Sequence, residues 1–362
     1  MNRNSLANQG KKLKQWNALQ RITAVFQGEI PDRVPSYELT INPGVIDRLN
    51  PGMSYYDFIE YHDYDAVGPN VTWDGLGLVK WLDEAKKVFI DRWGVVRRFT
   101  TDVIPVPLEG PIKSAKDLAG YVPPNPLEDP ILVKVEELVG RFKNRRATFI
   151  LGRDVWTGSY MIRGMENLLI DFLTDPAMVR DIVGMQVEYY KVLHRKVLAM
   201  GVDIIHLVDD YAYGSGPLMS PELFAEFLLP GLKTIVKDIK EHGGLCMKHT
   251  DGAIWKILDD IVSSGVDGVG PLEPEAGMDL REVKEKYPGL VVMGNVGCDN
   301  LGRASTAEIE EEVKQLIQKC APGGRYILSS GNSIASSALP ENFATMMRTL
   351  KLYGGYGEKG IT

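Results

Sequence analysis

Along the chain, short apolar runs ending in polar or glycine residues alternate with longer segments whose apolar positions recur every three or four residues. The runs are VPSYELT from Val34, AVGPN from Ala66, ATFILGRD from Ala147, DIIHLVDD from Asp203 and GLCMKHTDG from Gly244. They continue with VDGVGPLEP from Val266, LVVMGNVG from Leu290 and YILSSGNS from Tyr326. Nearly continuous apolar runs of this length predict strands covered on both faces, as in a parallel sheet. The segments between them carry helix-start signals. Asp175 before Pro176, and Ser220 before Pro221, read as an N-cap followed by proline in the first turn. Ser305 and Glu308 predict a capping box ahead of IEEEVKQLIQKC. Apolar spacing predicts further helices over Pro221 to His242 and Ala253 to Ser263.

Eight strand–helix units fit an α/β protein of the (β/α)8 TIM-barrel type better than an open doubly wound sheet. The G-x-G-x-x-G loop that opens many such sheets is absent. One segment breaks the rhythm: VFIDRWGVVRRFTTD, Val88 to Asp102, whose alternation predicts a small antiparallel excursion. The expected organisation is an N-terminal helical extension over residues 1–30 and a barrel over residues 31–362.

Composition narrows the class. The chain has 362 residues, 44% of them hydrophobic and 25% charged, enough for a sizeable core. Its net charge of -7 argues against nucleic acid as a partner, since that affinity rests on clustered lysine and arginine. It suits an enzyme of small molecules. Cys246, Cys298 and Cys320 match no zinc-knuckle spacing and cannot all pair, so a reducing, cytoplasmic setting is expected. The basic N-terminus lacks the apolar region of a signal peptide, and no window is apolar enough to span a bilayer.

Barrel chemistry gathers at the C-terminal ends of the strands, which makes strand-final polar residues the candidates. They are Tyr37, Glu38, Asn70, Arg153, Asp154, Asp209, Asp210, His249, Asp251, Glu273, Asn295, Cys298 and Asn332. Asp210, His249 and Glu273 come from consecutive strands, whose tips lie roughly 5 Å apart. An imidazole with two carboxylates suits a divalent metal such as zinc. The same groups can move protons without a metal, or His249 can simply bond Asp251 or a carbonyl and fix its loop. Arg153 can clamp a carboxylate or phosphate, or pair internally with Asp154. Cys298 is either a ligand, a nucleophile or inert. Trp156, Tyr160, Tyr211 and Tyr213 either wall a pocket or pack.

From Ala18 to Asn342 the sequence resembles the uroporphyrinogen decarboxylase superfamily, whose members are (β/α)8 barrels. The resemblance runs through ALQRITAVFQGEIPDRVP, WTGSYMIRG, LMSPELFAEFLLPGLKTIV, GNVG, YILSSGNSI and PENF, in the family's order. The departures bear on function. The family's porphyrinogen-gripping R-Q-A-G-R-Y is replaced by SYELTINPGVID, its second-strand Asp has only Asn70 nearby, and its final G-H-G-I reads Gly331, Asn332, Ser333, Ile334. The other branch comprises methyltransferases working with corrinoid proteins, some binding zinc through H-x-C and a later Cys. Here that position reads His249, Thr250, Asp251, and the later one falls near Gly331 or Asn332. Carboxylates in place of thiolates make a harder Lewis acid, suited to an oxygen or nitrogen leaving group.

The resemblance therefore implies a methyltransferase that moves a methyl group from a small methoxylated or methylated substrate to a corrinoid carried by a partner protein. His249, Glu273 and Asp210 or Asp209, with Asp251, form the expected ligand set. Tyr37, Glu38, Arg153, Trp156, Tyr160, Tyr211, Asn295 and Asn332 are the expected substrate contacts. Two alternatives stand beside it: a metal-free decarboxylase using Arg153, and a non-catalytic barrel that binds a ligand or a corrinoid protein. Dimerisation is common in the family and is implied only by resemblance.

Overall fold

The computed structural model describes residues 16–70, 78–100, 105–357 and 361. Residues 1–15 of the expected extension, and Thr101 and Asp102 of the expected excursion, lie outside them. Seven parallel strands form the central sheet. They are β1 (Ala66–Val67), β6 (Ala147–Gly152), β7 (Ile204–Val208), β10 (Leu245–His249), β11 (Gly268–Val269), β12 (Val291–Met293) and β13 (Tyr326–Ile327). Their order in the sheet is their order in the chain, the topology of a barrel rather than of a doubly wound sheet.

The eighth expected strand, from Val34, forms no regular ladder. It instead joins the two sheet edges by single bonds: Tyr37 N–H to the Leu328 carbonyl (3.3 Å), Leu328 N–H to Pro35 (2.9 Å), and Asp65 N–H to Ser36 (3.0 Å). Pro35 has no N–H to give, and the Ser36 N–H goes to the Asp65 carboxylate at 2.9 Å. The ring closes through an irregular segment for those two reasons.

That aspartate belongs to a repeated device. Asp65, Asp203 and Asp267 each stand just before a strand, and each accepts an N–H from the neighbouring one. Asp203 takes Thr148 N–H at 2.7 Å and Asp267 takes Cys246 N–H at 2.9 Å. Asp65 is fully buried and is neutralised by Arg33 (2.7 Å) and Arg21 (3.1 Å). The foot of the barrel is thereby laced by carboxylates, while the opposite ends of the strands are left for chemistry.

Strand periodicity sorts the side chains. Tyr37, Ala66, Ala147, Phe149, Ile204, Met247, Val291, Met293 and Ile327 fill the interior. Ile22 and Val25 of α1 (Ala18–Gln27) pack on that cluster. Residues of opposite parity face the helical layer, which includes Pro176–Met200, capped by Asp175, and Thr306–Cys320, with the Ser305–Glu308 capping box. The segment from Pro221 contains a π turn over Phe224–Leu228, where Pro230 cannot donate into a regular α-ladder. Helix over the 253–263 segment is confined to Leu258–Ser263. The antiparallel excursion is larger than expected, with four strands: β2 (Leu78–Asp83), β3 (Val88–Asp91), β4 (Val96–Arg98) and β5 (Val106–Glu109).

Candidate functional site

Three polar side chains of inward parity meet at the barrel mouth. Asp210 follows β7, His249 ends β10, and Asp251 lies two residues further on. His249 Nε2 is 3.1 Å from an Asp251 oxygen and 3.8 Å from an Asp210 oxygen. The other ring nitrogen, Nδ1, sits 2.7 Å from the Pro271 carbonyl. A carbonyl only accepts, so Nδ1 carries a hydrogen and Nε2 faces the carboxylates.

Secondary bonds hold the trio in place. Asp251 N–H donates to Asp210 at 3.1 Å, and Asn332 Nδ2 reaches both Asp251 oxygens at 2.8 and 3.0 Å. Gly252 gives its N–H to Glu273 at 2.9 Å. Glycine is required there: φ is +85°, and a Cβ would lie 2.5 Å from Tyr213 N, in the short hairpin of β8 (Ala212–Tyr213) and β9 (Gly216–Pro217).

The electrostatics follow from this crowding. Burial would lower the His249 pKa, but Asp251 and Asp210 outweigh it, and the ring keeps its proton above the usual histidine range. The surrounding protein and the charge of Asp251 raise Asp210, against the pull of His249. Burial and Asp251 likewise raise Glu273.

One ligand atom each from Asp210, His249 and Asp251 lies within 4.8 Å of the others. Two ligands on a tetrahedral zinc ion with bonds of about 2.1 Å stand about 3.4 Å apart, a spacing bracketed by the two His249 distances. The donor set of one imidazole and two carboxylates therefore fits a hard or borderline divalent ion. Glu273, expected as a ligand, is turned to the Gly252 N–H and lies outside this trio.

The other expected residues separate by parity. Arg153 faces the mouth, about a quarter exposed, with Nη1 bonded to the Val208 carbonyl (3.0 Å) and to Asp209 (3.3 Å). Its ion pair is thus with Asp209, not Asp154. Asp209 turns outward, and its second oxygen accepts the N–H groups of Trp156 (2.9 Å) and Thr157 (3.1 Å), capping the helix Trp156–Arg163. Burial would raise Asp209, but Arg153 and Lys248 hold it down at about 2.

Tyr37 is buried in the barrel interior, and Glu38 is buried against the Ser330 N–H (2.9 Å) and hydroxyl (2.7 Å). Burial raises Glu38 to about 8. Trp156 and Tyr211 are buried in the layer outside the sheet, and Tyr160 is partly exposed beside Trp156. Asn295 is buried on the Met278 carbonyl at 3.2 Å, and exposed Asn70 gives its N–H to the Tyr56 hydroxyl at 3.2 Å. Cys298 contacts the Ser333 carbonyl at 3.7 Å, and burial raises its thiol to about 11, which disfavours the reactive thiolate.

Two residues escape a reading confined to strand ends. Lys248 is fully buried on the outer face, 2.9 Å from Asp154 and 2.8 Å from the Asp209 carbonyl, with its ammonium over the Tyr211 ring at 4.2 Å. Tyr211 donates its hydroxyl to the same Asp154. Burial and the nearby Asp209 charge push Asp154 up to about 7, against the pull of Lys248. His206 sits mid-strand in β7, inside the barrel. A lysine inside an apolar run, and a histidine four residues before Asp210, were the available signals.

Fold and mouth define an α/β barrel with a histidine–carboxylate centre at the C-terminal ends of its strands. The chain belongs to the uroporphyrinogen decarboxylase family: residues 88–353 match the family described as Uroporphyrinogen decarboxylase (URO-D). A protein of Idiomarina loihiensis named uroporphyrinogen decarboxylase is 24% identical over 210 residues, covering 55% of this chain and 56% of that one. Its namesake from Schizosaccharomyces pombe is 26% identical over 167 residues, covering 42% and 43%. The chain thus spans about half the length of the curated relatives it matches. The solved structure of a methyltransferase from Methanosarcina mazei superposes with a TM-score of 0.74 at 19% identity, covering 93% of this chain and 99% of that one. Among the described residues, no helix is long and apolar enough to cross a membrane.

Proposed function

We propose that this chain is a methyltransferase that takes a methyl group from a small methoxylated or methylated compound and passes it to a corrinoid on a partner protein. The observation that carries the reading is the trio itself: an imidazole nitrogen freed by its bond to Pro271 and aimed between two carboxylates at the barrel mouth. Asp210, His249 and Asp251 are the residues that would hold a divalent metal, and such an ion supplies a Lewis acid for a departing oxygen or nitrogen. Asn332 orients Asp251 through both of its oxygens, and Pro271 orients His249. Glu273 shapes the loop through Gly252 and, with its raised pKa, is placed to exchange a proton at the rim. Arg153 offers the rim a guanidinium, already half-satisfied by Asp209. The methyltransferase superposition supports the same class.

Purified protein should carry or take up zinc, and alanine at His249 or Asp210 should abolish that uptake. Unchanged metal content in both variants would remove the metal from the account. A second reading, decarboxylation, is favoured by the names of the curated relatives. Its weakness is that SYELTINPGVID holds no arginine before Arg48 to grip a tetrapyrrole's carboxylates. Incubation with uroporphyrinogen separates the two, since coproporphyrinogen forms only if the second is right.

A further inference from the structure

The barrel interior holds a second histidine that the proposed function does not use. His206 is fully buried, and each ring nitrogen has one partner: the Tyr37 hydroxyl at 2.7 Å from Nδ1, and the Gly270 carbonyl at 2.7 Å from Nε2. The carbonyl can only accept, so Nε2 carries the hydrogen of the neutral ring and Nδ1 accepts the tyrosine O–H. The carbonyl of the very next residue, Pro271, is the one that accepts from His249 Nδ1, also at 2.7 Å. The two rings lie 6.4 Å apart at 83° and grip successive carbonyls of one short segment.

That segment has few anchors of its own. Gly270 has φ +126°, and a Cβ on it would lie 2.1 Å from the Met293 carbonyl, so no larger residue can stiffen the position. Its N–H is held by the Lys248 carbonyl at 2.9 Å. Its carbonyl direction is held by His206, and His206 in turn by Tyr37, whose ring packs on Phe149 with centroids 4.0 Å apart.

We propose that Tyr37 and His206 are positioning residues for His249: by fixing the Gly270–Pro271 carbonyls they hold His249 with Nδ1 protonated and Nε2 directed at Asp210 and Asp251. The inference rests on the reading of that trio as a metal site, where groups behind a ligand set its affinity by about 10- to 100-fold.

The test uses the full chain with Co²⁺ as probe, followed by absorption spectroscopy and Zn²⁺ competition. Tyr37→Phe and His206→Leu should weaken Co²⁺ binding about tenfold and shift its visible bands. His206→Gln, which keeps a donor for the Gly270 carbonyl, should recover most of the affinity. Folded Tyr37→Phe protein with wild-type affinity and spectrum would overturn the proposal, and this near-isosteric variant decides the matter if His206→Leu does not fold. If the wild-type chain takes up no Co²⁺, the metal reading fails by itself. Imidazole ¹⁵N NMR of the metal-free protein, above the pH at which His249 titrates, then decides the positioning role. The proposal expects hydrogen on Nδ1 in the wild type and mixed tautomers in Tyr37→Phe; identical tautomers would overturn it.

Discussion

Replacing Lys248 by methionine removes the charge from a fully buried pair while keeping an unbranched side chain one atom shorter. The ammonium lies 2.9 Å from Asp154, with both side chains at zero exposure. At an effective dielectric constant of about 20, the pair attraction is about 6 kcal/mol, most of it offset by the cost of taking two charges out of water. Losing one partner leaves that cost unbalanced, and a loss of about 3–5 kcal/mol is expected. The variant's deficit should depend on pH. Asp154 already sits at about 7 through burial, and without Lys248 it moves higher still. A carboxyl whose folded pKa lies above its unfolded value of about 3.9 destabilises increasingly as pH rises between the two. Wild type and variant share that loss up to about pH 7. The deficit should therefore be small below about pH 6 and grow above about pH 7, where the wild-type carboxyl ionises beside Lys248 and the variant's stays protonated, as read by urea unfolding from about pH 5 to about pH 9. The double variant Lys248→Met with Asp154→Leu should be more stable at neutral pH than Lys248→Met alone. A pH-independent deficit below 1 kcal/mol, or a double variant whose losses simply add, would refute the reasoning.

Other outcomes follow from the same geometry. Gly252→Ala should cost about 1–3 kcal/mol through its positive φ and the Tyr213 backbone, and should weaken metal uptake, measurable by unfolding and by Zn²⁺ titration. Asp209→Ala removes the cap of helix Trp156–Arg163, worth about 1–2 kcal/mol, and strands Arg153; unfolding that matches wild type would contradict the cap. The folded pKa of His249 is raised above its unfolded value of about 6.5, so its ion pair is complete below that pH and is lost as pH rises through the folded value. Asp251→Asn should accordingly cost more stability at pH 6 than at pH 9. Because a metal must displace the same proton, zinc affinity should fall about tenfold per pH unit below the folded His249 pKa; a flat profile would show that His249 is not a ligand.

Strand positions were legible because apolar runs of five or six residues have few other uses in a chain of this composition. Their parity then placed much of the site. Asp210, His249 and Asp251 share inward parity with Ile204 and Met247, whereas Asp209 and Lys248 do not. Sequence left Asp209 and Asp210 as alternatives; parity turns one to a helix cap and the other to the mouth. The first strand was less legible, since a hydrophobic run cannot show that Pro35 and the Asp65 carboxylate withdraw it from a regular ladder. Glu273 stands at a strand tip as expected, but only the fold reveals that the Gly252 N–H claims its carboxylate. The bond between Tyr37 and His206 was not legible because the partners lie 169 residues apart, beyond any local pattern.

The most direct test of the account is zinc binding by the intact chain, measured by titration calorimetry and elemental analysis alongside Asp210→Asn, His249→Ala and Asp251→Asn. One ion per chain is expected, with affinity falling at least about tenfold in each variant and most in His249→Ala. Absence of zinc binding in the wild type, or equal affinity in all four proteins, would contradict it.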